Sequence, residues 1–462
     1  MPVLYMERSA LEGLTEADIK KIIEENEGGT KYQRLKRYYE GDHAILHYVK
    51  KDKVAPNNKL VHDMPKYVTN TAVGYFIGKP VTYSSQDDAF LQALQDIFDY
   101  NDEQDENAEL AKGCSISGSC FEMLYMDEDA MIRFVKVDPD NCVLIYETGR
   151  KEPMAALRHI RSQDRNGNPI KKVEFWTSTE CWYFTSYNGG PLELTDIVEH
   201  YWQDVPFVEY INNEERLGDF EGIITLVDGY NRVQSNTANV FQHNDEAILK
   251  VLKMGDVQPH DIRAMKEAGA ILLEDGGDIQ WLIKEVADAP MENYKKRLRE
   301  DMHIFSSVPN LNDEKFSGNL SGVALGYKLW GLEQICATKE RKFKRALQRR
   351  IELITTMLNI QGGHYDYRDI DMQFRRNKPQ NLLESAQIVT TLSGELSRES
   401  RLQLLPTVEN VQDELQKLEE EKKADMGDFG GYDALAHALW QAQAPEQPQQ
   451  PPPAPPQEGY KA

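Results

Sequence analysis

Apolar residues recur at helical spacing from the start of the chain. Thr15 and Asp18 form a T-x-x-D capping box and Gly28-Gly29 a stop, so a helix is expected from Thr15 to about Asn26. Tyr32, Leu35, Tyr38 and Tyr39 mark a second helix that Gly41 ends. From Val68 to Leu94 the helical pattern yields at Gly78-Lys79-Pro80 to an extended Val81–Tyr83, and helix resumes from Ala89 to Phe98. Between Phe121 and Val208 aromatic and β-branched runs alternate with turn formers such as Asp138-Pro139, Asn166-Gly167 and Asn188-Gly189, the pattern of an antiparallel sheet with hairpins.

From Gly222 to Leu249 the period is again that of a helix, with Ile223, Val227, Val240, Phe241 and Ile248 on one face. A small unit follows: Pro259–Glu267 reads as helix, and Ala270–Glu274 with Ile279–Ile283 flank Asp275-Gly276-Gly277-Asp278 as a hairpin. Pro290 sits where a first helical turn tolerates it, and the next helix runs to Val308, before Pro309. After the polar stretch Asn310–Asn319, a long helix is expected from about Ser321 to Leu358, with Gly362-Gly363 as its stop. Gly322, Gly326 and Gly331 inside it suggest a kink or a close helix contact. A strand over Ile370–Phe374 and helices near Asn381–Ser393, Arg398–Leu405 and Val408–Ala424 complete the pattern. The fold class is α+β, mostly helical. Long helices around a ten-residue polar loop describe an elongated subunit rather than a globular enzyme. The proline- and glutamine-rich tail cannot bury a core and is expected to be disordered.

Length sets the scale, since 462 residues correspond to about three domains. The 53 basic and 76 acidic residues leave a net charge of −23, which argues against a surface that grips phosphates everywhere. Five cysteines without a C-x-x-C pair fit a reducing compartment and build neither a disulfide framework nor a zinc ribbon. No apolar run is long enough for a membrane span, and the N-terminus lacks the basic and apolar regions of an export signal.

Catalytic signatures are lacking. Gly113–Gly118 narrowly misses G-x-S-x-G and precedes a strand, so it reads as small residues at a tight packing site. There is no phosphate loop, and Pro80 removes a donor where Gly78-Lys79 would need one. His43 and His47 are spaced to clasp a metal, yet no further ligand pattern accompanies them. The acidic run Asp99, Asp102, Glu103, Asp105 and Glu106 lacks calcium-loop spacing and reads as a solvated helix end. Against the overall sign, Lys339, Arg341, Lys342, Lys344, Arg345, Arg349 and Arg350 crowd the long helix, opposed locally only by Glu340. They read as a solvated or subunit-bridging face, with DNA phosphates or an acidic partner as the alternative. No metal and no cofactor is implied.

Five strings in order carry a resemblance: Tyr38–His43 (YYEGDH), Val73–Val81 (VGYFIGKPV), Ser317–Leu325 (SGNLSGVAL), Lys339–Phe343 (KERKF) and Phe374–Pro379 (FRRNKP). Together they resemble the portal proteins of tailed bacteriophages with long non-contractile tails, particularly those of Gram-positive hosts, over about residues 20 to 425. The resemblance implies an elongated subunit with an α/β wing (1–221), stem helices (222–249 and 290–308) and a small α/β clip (250–289). It also implies a tunnel loop (309–320), a spine helix with a wing strand (321–380), a helical crown (381–426) and a tail (427–462) on which the family is silent. Gly326 departs from the family, where lysine is common.

The implied role is non-enzymatic. Twelve or so copies would form a ring at one capsid vertex, assembled in the host cytoplasm, through which double-stranded DNA is packaged and ejected. The implied partners are further copies of the chain, the terminase large subunit, a head completion or adaptor protein, and the major capsid and scaffolding proteins, with no membrane. The tunnel loop would bring Asn312, Asp313, Glu314, Lys315, Phe316 and Ser317 to the DNA path. Lys295, Lys296, Arg299, Arg341, Lys342 and Arg345 are candidates for DNA or subunit contact, and Asp275, Gly276, Gly277 and Asp278 for docking at the clip. A nucleic-acid-processing enzyme or another head-tail component is the competing reading.

Overall fold

Strand β1 (Val3–Met6) and the short α1 (Arg8–Glu12) precede α2 (Glu16–Glu27), which starts where its capping box directs. The Thr15 backbone N–H donates to Asp18 Oδ2 at 3.0 Å, while Thr15 Oγ1 accepts from the Asp18 N–H at 3.3 Å. Helix α3 (Thr30–Tyr39) ends before Gly41, whose φ of 88° favours glycine. Next come α4 (Met64–Ile77), β2 (Thr82–Ser84), α5 (Asp88–Tyr100) and α6 (Glu103–Ser117). The computed structural model describes residues 3–51, 56–244, 248–252, 258, 260, 278–282, 288–312, 322–378, 382–405, 408, 411–412 and 414–422.

Eight strands follow α6: β3 (Ser119–Met126), β4 (Ile132–Val137), β5 (Cys142–Glu147), β6 (Pro153–Gln163), β7 (Pro169–Trp176), β8 (Glu180–Tyr187), β9 (Glu193–Glu199) and β10 (Phe207–Ile211). They form two sheets rather than the single one expected, in the orders β1-β5-β6-β7-β8-β9 and β10-β3-β4. Strand β1 joins β5 in parallel, and the other pairs are antiparallel. Alternation says which side chains share a face, not which strands share a sheet. Phe121, Met123 and Phe207 of the small sheet pack against Tyr146, Trp176 and Cys181 of the large one, whose other face buries Ile19 and Ile23 of α2 with Val143, Leu157 and Phe184. The exposed edge strand β9 is blunted by a register shift and by Asp196, whose Oδ1 accepts from the Ile197 N–H at 2.9 Å.

Helix α7 (Ile224–Asn244) is shorter than its apolar spacing predicts. Ile248 lies instead in β11 (Ile248–Leu252), antiparallel to β12 (Asp278–Leu282) with Leu252 opposite Asp278. Asp278 is therefore a strand residue and not part of the hairpin turn. The short apolar run that continued the helical count is equally that of a strand, an ambiguity periodicity does not settle. Of the expected helix Pro259–Glu267 only His260, which is helical, is described, and the strand Ala270–Glu274 and the turn residues Asp275, Gly276 and Gly277 lie outside the described residues.

Helix α8 (Asp288–Ser306) leads to α9 (Gly322–Ile360), whose 39 residues span roughly 58 Å. Of its glycines, Gly331 is where another element comes close: a Cβ there would stand 3.4 Å from that of Ser307, whereas one at Gly326 would meet nothing within 4 Å. Gly362, at φ 108°, ends α9 as expected. Strand β13 (Asp371–Gln373) then pairs with β2. The main core joins α3, α4, α5 and α6 to the buried face of α9. A second unit from Pro379 holds α10 (Leu382–Thr391) and α11 (Arg398–Gln403), and the tail lies outside the described residues.

Candidate functional site

Helix α9 carries the basic cluster, and most of that cluster faces carboxylates rather than solvent. Arg350 is fully buried: Nε and Nη2 donate to the two oxygens of Glu122 at 2.8 and 2.5 Å, and Nη1 to Asn107 Oδ1 at 2.8 Å and Glu103 Oε1 at 3.4 Å. Its guanidinium lies 4.4 Å from the Phe134 ring centroid, and Tyr210 donates its hydroxyl to Glu122 at 3.0 Å. Burial opposes the Arg350 charge, but Glu122, Tyr210 and Glu103 together offset it and raise the pKa well above the ordinary value; burial, which disfavours the charged form of an acid too, raises that of Glu103. Glu103 is thus a core residue and not part of a solvated helix end, because the run it belongs to opens α6 with one face turned inward.

Three more of these cations, Lys339, Lys342 and Arg349, are also held by carboxylates. Buried Lys339 bonds Asp219, which also receives the Ser115 hydroxyl; Lys342 bonds Glu214. Arg349 reaches Asp204 at 2.6 Å and Glu352 at 2.8 Å, and Lys344 donates to the Met372 carbonyl at 3.2 Å. Arg341 donates to Thr338 Oγ1 at 3.2 Å, and Arg345 is exposed without a hydrogen bond or ion pair among the described residues. A wholly solvated face is therefore excluded for this helix.

Helix α7 is held by a ladder that sequence reading missed. Asn231, Ser235 and Asn239 stand four residues apart on one face, and the N–H groups of His62, Leu60 and Asn58 donate to them at 2.7, 2.9 and 2.7 Å. Two extended residues advance about 6.6 Å and four helical ones about 6.0 Å, so the extended strap and the helix stay in step. Buried His43 completes the joint. Its Nε2–H donates to the Tyr38 carbonyl at 2.9 Å, which leaves Nδ1 to accept from Asn231 Nδ2 at 2.9 Å. His47 instead meets Asp42 and Arg37. The two histidines do not converge, and among the described residues no group of three or more His, Cys, Asp or Glu could hold a metal.

Three of the five motif strings meet in one aromatic core. Phe76 stacks on Phe374 with centroids 5.7 Å apart, and Phe343 packs edge-on against both. Arg376 lies over Phe76 and pairs with Glu340 at 2.7 Å and Glu333 at 3.2 Å. Gly78 is required there, because a Cβ would collide with the Gly74 carbonyl oxygen and crowd Asn377, whose Cβ would be 3.1 Å away. Gly113 is equally confined by Cys120, 2.8 Å away, which agrees with the tight-packing reading of Gly113–Gly118. All five cysteines are buried, and burial pushes the Cys336 thiol up to about 12, so none is poised as a nucleophile.

The polar loop leaves the end of α8 from a fixed point. Tyr67 donates its hydroxyl to the Pro309 carbonyl at 2.9 Å and accepts from the Leu311 N–H at 2.9 Å. Asn312 is exposed, while Asp313, Glu314, Lys315, Phe316 and Ser317 lie outside the described residues. Beside this point large apolar side chains stand mostly in solvent: Ile304 and Phe305 near the end of α8 are 65 and 68% exposed, Tyr327 and Trp330 on α9 79 and 62%. The Ser307–Gly331 contact brings the two helices together here. Among the α8 cations, Lys295 is buried and bonded to Glu292, whereas Lys296 and Arg299 are exposed. No helix among the described residues is long and apolar enough to cross a membrane.

A family model described as phage portal protein, SPP1 Gp6-like, matches residues 19–428. The portal protein of Bacillus phage SPP1 is 24% identical over 392 residues, covering 80% of this chain and 77% of that protein. The portal protein of Clostridium phage phiCD119 is 25% identical over 425 residues, covering 84% and 92%. A chain from the neck of an empty GTA particle, computed with C6 symmetry, aligns over 82% of this chain and 94% of its own at 12% identity and a TM-score of 0.47, too distant to carry an argument.

Proposed function

The chain belongs to the SPP1 Gp6-like family of phage portal proteins, and from that premise we propose that its copies close into a ring whose axial channel conducts double-stranded DNA during packaging and ejection. The family match across residues 19–428 carries this reading. Its role is structural: the portal forms the capsid vertex, and the unit around β11 and β12 receives the terminase and later the head completion protein. Helices α7 and α8 are the stem, the sheets and α6 the wing, and α9 the spine.

Two physical features support the ring. The exposed pair Ile304 and Phe305 and the exposed pair Tyr327 and Trp330 are apolar area that a lone subunit leaves in water, and a neighbouring copy would cover it. The net charge of −23 suits a channel that must let DNA slide, because each neutralised phosphate would release counterions and add affinity. Replacing Phe305 and Trp330 together by glutamate places charges in that contact. The double variant is expected to elute as a folded subunit with an unchanged circular dichroism spectrum. Rings that persist at unchanged stability would place the subunit interface elsewhere.

A further inference from the structure

A groove of about 510 Å³ lies between the turn joining β5 to β6 and the middle of α9. Arg150 and Lys151 stand on the turn side, and Lys342, Arg345 and Arg349 form a row on the helix side. With Arg216, six cations line it against five carboxylates, an inversion of charge in a chain of −23. Arg150, Arg349 and Arg216 are committed, the first to Glu147 at 2.8 Å, the second to Asp204 and Glu352, the third to Glu209 at 2.7 Å. Lys151 and Arg345, both exposed, hold no hydrogen bond or ion pair among the described residues. Lys342 is tied to Glu214, whose side chain is largely in water, so an incoming carboxylate can displace it. Phe207, Val208 and Ala346 beneath it are buried, so the apolar surface the groove offers is at its rim, where the half-exposed Tyr5 stacks on Tyr146.

We infer that this groove is a docking site for an acidic segment of a partner protein, one that carries carboxylates at intervals around an apolar anchor. The carboxylates would meet Lys151, Arg345 and Lys342, and the anchor would pack against the exposed ring of Tyr5. DNA fits poorly: a continuous phosphate backbone cannot avoid the lining carboxylates, whereas a peptide whose carboxylates are spaced apart can place them on the cations alone. The site is separate from the ring contact of the proposed function, and it stands whether or not that contact is correct.

The test measures fluorescence anisotropy of a labelled twelve-residue peptide, glutamates alternating with serines around two central leucines, on the full chain. Binding should weaken at least tenfold in Lys151→Glu with Arg345→Glu, and without the leucines. The control Arg341→Glu, on the same helix but outside the groove, should bind as the parent does. Both replaced residues are exposed, so the melting temperature should not move. Absence of binding overturns the proposal, and equal weakening by Arg341→Glu reduces it to diffuse attraction. Stronger competition from a twelve-base-pair duplex makes the groove a nucleic-acid site. Binding to subunits but not to assembled rings makes a second copy its occupant.

Discussion

At the scale of single residues, long-range pairing decides what each charge does. The basic cluster on α9 has only Glu340 within it and Glu352 just beyond, yet most of its partners lie far along the chain: Asp204, Glu214 and Asp219 for Arg349, Lys342 and Lys339, and Glu103 and Glu122 for Arg350. Local charge counting has no access to such pairs, which is why Arg350 and Glu103 read as solvated and are buried. Arg350→Ala would strand two buried carboxylates and is expected to cost about 3–5 kcal/mol, read from the denaturant midpoint. A loss below about 1 kcal/mol would mean that the network is not closed as described. His159, buried on β6 beside Glu27 at 3.3 Å, carries a second prediction. Burial lowers its pKa from 6.5 to about 4, Glu27 opposing and Lys171 and Arg161 adding to the shift. The unfolded chain therefore takes up this proton first. Its contribution is complete above pH 6.5 and declines as the pH falls through 6.5 towards 4. His159→Gln should flatten the fall in the urea midpoint across that window, and an unaltered slope would exclude His159 as its source.

At the scale of elements, helices with explicit start and stop signals were legible: the Thr15 capping box, the Gly41 stop and the Gly362 stop stand where the sequence put them. The sheet was legible as strands but not as a division into two sheets, and β11 was hidden in a run whose apolar spacing also fits a helix. The ladder on α7 was out of reach for a different reason. Asn231, Ser235 and Asn239 look like any polar helix face, and only the strap at residues 58–62 gives them meaning. Asn231→Ala leaves the His62 N–H and His43 Nδ1 without partners and is expected to cost about 1–3 kcal/mol. Asn231→Asp keeps the acceptor for His62 and loses only the donor to His43 Nδ1, whereas Asn231→Leu loses both. The aspartate variant should therefore be the less destabilised of the two. Equal losses would contradict the assigned joint.

At the scale of the whole molecule, the motif strings were the most informative signal, and the structure supplies their physical reason. Val73–Val81, Lys339–Phe343 and Phe374–Pro379 meet around Phe76, Phe343, Phe374 and Arg376, where α4, α9 and the segment after β13 are locked together. Tyr38–His43 fixes the joint with α7, the Tyr38 hydroxyl donating to Asp228 at 2.9 Å. These positions hold a helix frame, whereas the residues expected at the DNA path and the docking turn carry no such packing signature in sequence. The frame leaves Ile304, Phe305, Tyr327 and Trp330 uncovered, and a ring is the assembly that would cover them. The most direct test is native mass spectrometry of the purified full chain at micromolar concentration, with electron microscopy of the same sample. A closed ring of about twelve copies of the 53.0 kDa chain, with an axial channel, is the predicted result. A monodisperse 53.0 kDa species that does not change with salt would contradict it.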